Sequence, residues 1–341
     1  MRNRIKKVAR VILLLSIILF IFITSFYFWG SSAKLSVANE ALIQVNKKAS
    51  LAPAKDTLRV MTYNMGYLSG MTNNLAVDRS KDLFDNNENR LSSLLTKEKV
   101  DICCFQEIDF HSGRSYYVDQ LSKISSVVNY PYASRVVNWD KTYVPFPYWP
   151  LNLQFGEILS GQAIVSKYPI QQNEAHVLEK ADYPFYYNAF YLDRLAQVNL
   201  LRIGLHELVI INVHLEAFDA RTREKQADQL IELYKRYEAV YPVLMLGDFN
   251  STPPGSRSPY MEENTIEKIV AVEGINMAIR DSLYLMDEEN YFTFNSVAPY
   301  IKIDYIFYNE EKIKVLDPKV LREAGDISDH LPIMADIIFL D

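Results

Sequence analysis

Polar residues gather where the apolar runs of this 341-residue sequence stop. VMTYN stops on Asn64, ICCFQE on Glu107, IINVH on His214, and VLMLGDFN on Asp248 and Asn250. KID opens a run with Asp304, and SDH opens the last one with Asp329 and His330. If these ends converge, they collect carboxylates, amides and imidazoles, and no sulfur. Acids crowded in this way cannot all be charged without a cation among them. Oxygen donors suit Mg2+, Mn2+ or Ca2+ better than zinc, which leaves the imidazoles for phosphate or water. The two cysteines, Cys103 and Cys104, are adjacent in an apolar run. They read as small buried strand residues, because neighbouring cysteines rarely pair and no third is present for a zinc site.

Taken singly, several of these residues have ordinary explanations. An Asn after a strand, or Gly-Asp-Phe-Asn at 247–250, can be a plain turn, and Glu107 can be a solvated loop acid. Asp304 is harder to explain in that way. It lies between Ile303 and Tyr305, inside an apolar strand, where an unpaired carboxylate is costly. A partner is expected, and His330 is the candidate. A carboxylate bonded to an imidazole nitrogen fixes its tautomer and raises its basicity.

Strands must position these ends. Hydrophobic residues make up 49% of the chain and charged residues 23%, and Tyr and Phe are frequent, which favours sheet. Strand-length apolar runs occupy 58–65, 100–108, 161–170, 195–203, 208–215, 242–250, 303–308 and 331–340. Residues 88–99 place Leu91, Leu94 and Leu95 on one helical face, and 221–240 do so with Leu230, Leu233, Tyr234 and Tyr237. The runs 195–203 and 208–215 have no helix between them and read as a hairpin around Gly204. The sheets are therefore mixed, and two packed sheets with helices outside fit the alternation. The aromatic, proline-rich stretch 138–157 reads as a long structured loop.

The N-terminus reads as a membrane segment. Residues 11–29 carry no charge, close to the ~20 apolar residues needed to cross a bilayer. Arg2, Arg4, Lys6, Lys7 and Arg10 precede it and aromatic residues close it. The apolar stretch exceeds the core of a cleaved signal peptide, although Ser31-Ser32-Ala33 would suit cleavage. The expected division is a basic cytoplasmic tail at 1–10, a transmembrane signal anchor at 11–30, a linker at 31–56, and a catalytic domain at 57–341 outside the cytoplasmic membrane. The net charge is −6, and without those five basic residues 31 bases face 42 acids. That balance disfavours non-specific nucleic-acid binding, which needs a positive footprint.

In order, TYNMG (62–66), QE (106–107), SGQAIVSKYPI (160–170), NVHLEA (212–217), GDFN (247–250), IDYIF (303–307) and SDHLP (328–332) resemble the endonuclease/exonuclease/phosphatase superfamily. Each motif is weak alone; their order and spacing across 57–341 carry the resemblance. It implies a four-layered α-β-β-α sandwich and metal-dependent cleavage of a phosphate ester. Carried over by position, Glu107, Asn64 and Asp329 become metal-side residues, with Mg2+ the expected ion and Mn2+ an alternative. Asp248 and Asn250 match the pair that orients water and phosphate, Asp304 and His330 the dyad, and His214 a phosphate-binding histidine. That histidine points towards hydrolases of lipids and soluble esters and away from apurinic endonucleases. Which group is the general base stays open. Arg194, in YLDRLAQ, either reaches a phosphate or is a surface arginine on a sheet edge.

The substrate is read as a lipid head group or small phosphoester, with the bilayer a partner through the N-terminal helix and no stable protein partner inferred. Trp139, Tyr143, Phe146, Tyr148 and Trp149 either dip into a lipid interface or pack over the core. An extracytoplasmic nuclease acting on DNA or RNA is the alternative, disfavoured by the acidic domain. A catalytically silent binding module is disfavoured because each expected catalytic position is filled.

Overall fold

A computed structural model of the chain describes residues 2–35, 41–47, 49, 52–257 and 263–340. Its frame is two sheets. The first has seven strands in the order β1 (Ala41–Val45), β4 (Tyr132–Val144), β5 (Gly156–Ser166), β3 (Ile102–Asp109), β2 (Leu58–Asn64), β13 (Ile333–Phe339) and β12 (Ile313–Val320). The second has six, in the order β10 (Ile275–Met277), β11 (Asp304–Asn309), β9 (Val243–Asp248), β8 (His206–His214), β7 (Leu195–Ile203) and β6 (Ile170–Val177). Their inner faces meet through Leu58, Val60, Ile102, Cys104 and Ile164 on one side and Leu208, Ile210, Leu244, Leu246 and Ile306 on the other. The central strands are apolar on both faces, because helices cover the outside. Helices α2 (Lys81–Lys97) and α3 (Gln120–Val128) pack on the first sheet through Leu91, Leu95, Leu121 and Ile124. Helices α5 (Ala220–Lys235) and α6 (Thr265–Val270) pack on the second through Leu230, Leu233, Ile266 and Ile269. The four layers and mixed sheets are those implied by the motifs. Cys103 and Cys104 are buried and unpaired.

The topology brings the polar strand ends together. Each sheet holds one parallel pair, β2 with β3 and β8 with β9, with α2 and α5 in the respective crossovers. A parallel pair ends on one edge, so Asn64 faces Gln106, the neighbour of Glu107, and His214 faces Asp248. Antiparallel β11 and β13 begin on that same edge: Asp304 pairs with Asp248, and Ile333 with Thr62. Gly247 permits the β8–β9 approach. Its φ is +142°, and a Cβ there would lie 2.0 Å from the Val213 carbonyl oxygen.

Two of the sequence boundaries need correction. The reading of 31–56 as linker fails for Ala41–Val45, which pair with Tyr132–Val136 as the edge strand β1. Five residues make too short a run to stand out as a strand, and their place comes from pairing with β4. The reading of 138–157 as one loop is also too broad. Residues 138–144 continue β4 and 156–157 begin β5, leaving 145–155 as the connection. Pro145, Pro147 and Pro150 lack the N–H that a ladder needs.

Helix α1 (Arg2–Gly30) stands outside the sandwich. It is long and apolar enough to cross a membrane, and its apolar side chains from Ile5 to Ile23 are exposed. An apolar surface of this extent is what a membrane anchor or a signal sequence presents.

Candidate active site

His330 and Asp304 form the best-defined pair. The Nδ1 of His330 lies 3.0 Å from Oδ2 of Asp304, and both side chains are buried. Ser328 sets the entry to β13: its hydroxyl donates to the Asn64 carbonyl at 2.8 Å and accepts from the His330 backbone N–H. Thr293 sets Asp304 from the other side, its hydroxyl accepting from the N–H of Ile303 and of Asp304. Burial disfavours charge on the imidazole, but Asp304 and Asp248 outweigh it and raise its pKa well above the usual value. Nε2 of His330 lies 3.7 Å from Oδ2 of Asp248, so both acids favour the protonated ring.

Asp248 sits at the centre. Its Oδ1 accepts from the Asn250 backbone N–H at 2.9 Å, and its Oδ2 from the Asn64 side-chain amide at 2.9 Å. Burial pushes its pKa up to about 7, helped by Asp304 and opposed by His330 and Asn64. His214 lies above this carboxylate, with Nε2 3.6 Å from Oδ2 of Asp248 and 3.8 Å from Oε1 of Glu107. Burial lowers the pKa of His214 well below its usual value, with Arg194 and His330 adding to the effect. Their surroundings therefore drive the two histidines in opposite directions, favouring charge on His330 and disfavouring it on His214. One of the two N–H groups of the Asn250 side-chain amide donates to the Leu215 carbonyl at 3.0 Å.

Glu107 completes the group from β3. It sits at a register shift between Phe105 and Ile108, with a positive φ of 50°. For an L-residue that region costs about 1–2 kcal/mol, and such strain collects at functional sites. Its Oε1 accepts from Asn64 at 3.1 Å. Its Oε2 shares Asn73 with Asp329: the Asn73 amide nitrogen is 3.2 Å from Glu107 Oε2 and 3.2 Å from Asp329 Oδ2. Burial raises the pKa of Asp329, and nearby Glu107 adds to the shift.

These donors fit a hard cation. Two carboxylates converge on one amide, burial resists charge on Asp329, and the Asn73 side-chain oxygen is buried without a partner. Asp248, Asp304 and His330 also lie within 4.8 Å of one another. Asp304 is already taken up by Nδ1 of His330, and a hard cation prefers oxygen donors, so the Glu107–Asp329 side is the better fit. Asn64 differs from its expected role as a ligand. Its side-chain oxygen accepts from the Gly66 N–H at 3.1 Å, and its nitrogen faces the acids. An amide nitrogen is no Mg2+ ligand, so Asn64 acts here as the donor that ties Glu107 to Asp248.

Arg194 is not on the surface. It lies buried at the foot of β7, with Nε 3.4 Å from Glu216 and Nη2 3.2 Å from the Tyr191 hydroxyl, and its Nη1 has no partner. Its charge is felt by His214 and it feels that of Glu107, which places it beside the site. Asn73 was missed by sequence reasoning: in MTNN it looks like any turn asparagine. Of the aromatic residues, Trp139 and Phe146 pack on a small buried cluster of Val144, Phe155 and Ile158, whereas Tyr148 and Trp149 are exposed.

Comparison with known proteins agrees with this geometry. The model of the Endonuclease/Exonuclease/phosphatase family matches residues 61–330. An endonuclease/exonuclease/phosphatase from Beutenbergia cavernae is 18% identical, with a TM-score of 0.62 over 84% of this chain and 72% of that one. The human Nocturnin catalytic domain with bound sulfate is 16% identical, with a TM-score of 0.55 over 90% of this chain and 100% of that one. A mannosyl-6-phosphatase from Bacteroides thetaiotaomicron is 16% identical, with a TM-score of 0.54 over 83% and 100%. At these identities the likeness carries the fold alone. No curated protein matches the sequence.

Proposed function

The chain belongs to the endonuclease/exonuclease/phosphatase family, whose members hydrolyse phosphoester bonds with divalent metal ions, and on that premise we propose a Mg2+-dependent hydrolase acting on a lipid head group or small phosphoester at the outer face of the cytoplasmic membrane. The observation that supports it most is the meeting of Asp248, Asn64 and Glu107, with His214 within 3.6–3.8 Å of both acids. Glu107 and Asp329 would hold the ion, with Mn2+ as a substitute. When bound, it neutralises phosphate charge and stabilises the leaving oxygen.

The chain's own residues divide the remaining work. Asp248, kept from its usual acidity by burial, accepts a proton from the attacking water and aims it. His330, charged and fixed by Asp304, donates from Nε2 to a phosphate oxygen or to the departing group. Neutral His214 and Asn250 border the phosphate position as donors, with Arg194 behind them. The anchor reading of α1 supports a membrane-borne ester, as does the acidic balance of the rest of the chain. The same balance disfavours DNA or RNA.

The test gives the full chain, with Mg2+, sphingomyelin or phosphatidylinositol vesicles in one arm and plasmid DNA in another. Head-group release from the vesicles is expected. Plasmid nicking beside intact vesicles would overturn the lipid reading and favour the nuclease.

A further inference from the structure

Helix α1 does not leave the domain freely. Phe26 and Trp29 pack on Tyr143, with ring centroids 5.8 and 5.7 Å apart. Tyr27 packs on Phe185 and Phe190 at 6.0 and 5.9 Å. Gly30 is pressed between Phe190 and the Tyr143 carbonyl, where a Cβ would come within 3.1 Å of each. Just beyond, Asp140 accepts from the backbone N–H groups of Lys34 and Leu35. The helix therefore meets the domain at one fixed place, between the end of β4 and the segment around α4 (Phe185–Asn188).

Two exposed apolar stretches flank that place, and the hydrolytic chemistry uses neither. Tyr148, Trp149 and Leu151 project from the 145–155 connection, and Phe185 and Tyr186 from α4, each 60–75% exposed. Their bases are joined, because the Trp139 indole N–H donates to the Phe190 carbonyl at 2.8 Å. Leaving such side chains in water forfeits the free energy of apolar burial. Aromatic residues at this density are at home in the head-group layer of a membrane.

We propose that this patch is a second membrane contact, which dips into the surface of the same bilayer that α1 crosses. A bilayer is the fitting occupant because the patch is continuous with α1, whose exposed apolar sides require lipid around them. The contact also sets where the active site faces. Tyr187, two residues beyond Phe185, packs on Tyr191 with ring centroids 5.2 Å apart and planes tilted by 33°, and the Tyr191 hydroxyl meets Arg194 at 3.2 Å. These contacts link α4 to the arginine beside His214. This inference rests on the anchor reading of α1 and on the phosphoester site proposed above.

Fluorescence quenching by brominated acyl chains tests it. The full chain is reconstituted in phosphatidylcholine vesicles with and without bromine, beside the Trp149→Phe variant. The emission that Trp149→Phe removes is expected to be quenched at least about twofold by bromolipid, as for a side chain sunk into the interface. The Phe185→Trp variant is expected to gain a component quenched in the same way. Emission at both positions that ignores bromolipid and is quenched by aqueous iodide would overturn the contact. Hydrolysis of a soluble phosphodiester by the same samples is read separately, so an inactive protein still reports on the contact.

Discussion

His330 can act only in the state its neighbours impose. Asp304 holds Nδ1 at 3.0 Å, and the two buried acids favour charge on the ring. Asp304→Asn preserves shape and removes that charge, so kcat is expected to fall by about 10²–10⁴, with KM changed far less; steady-state kinetics on a soluble phosphodiester decide this. A variant with unchanged kcat would remove the dyad from the mechanism. Asn73 makes a second prediction at this scale. It joins Glu107 to Asp329, so Asn73→Ala is expected to weaken Mg2+ binding about 10–100-fold, measured by calorimetry without any substrate. Equal affinity in the variant would make Asn73 a turn residue only. The two differ in how far the sequence disclosed them. A carboxylate between Ile303 and Tyr305 conflicts with its own strand, and that conflict marked Asp304. Asn73 conflicts with nothing, since asparagine is at home in a turn. Arg194 was ambiguous because arginine is ordinarily solvated, and the sequence does not show the Glu216 and Tyr191 that pair it when buried.

At the scale of elements, the legible strands were those buried on both faces. β2, β3, β8, β9 and β11 are continuous apolar runs, and their ends are the site. The strands that escaped notice lack that signature. β6 exposes Gln171, Gln172, Glu174 and Ala175, and β1 is a five-residue edge strand. Both owe their place to a neighbour's hydrogen bonds, which periodicity does not register. The hairpin at Gly204 was legible because the turn residue separates two complete runs, and Ile203 indeed pairs with His206. Gly247 links the elements to the chemistry, since it lets β8 and β9 close so that His214 meets Asp248. Gly247→Ala would put a methyl 2.0 Å from the Val213 oxygen. A loss of more than about 3 kcal/mol is expected by denaturant unfolding, the range of severe backbone and overpacking lesions. A loss below about 1 kcal/mol would mean that the strands can part without harm.

The whole molecule couples a hydrolase domain to a helix that water cannot cover. The apolar character of α1 was plain in the sequence because nineteen residues without charge need no tertiary context. Its seat on Tyr143 and Phe190 was not, because the partners lie more than a hundred residues away. If α1 anchors the chain, the membrane-extracted protein is expected to keep all 341 residues by intact mass. A mass beginning after Ser31-Ser32-Ala33 would instead identify a cleaved leader. The central claim is that the converging strand ends hydrolyse phosphoesters with a divalent ion, and its most direct test needs no lipid. The full chain in detergent is given bis(p-nitrophenyl) phosphate, with Mg2+ or EDTA, beside Asp248→Ala. Mg2+-dependent release of nitrophenol is expected, abolished by EDTA and lowered at least about 10³-fold in the variant. Release that survives EDTA, or an Asp248→Ala variant as active as the parent, would contradict it.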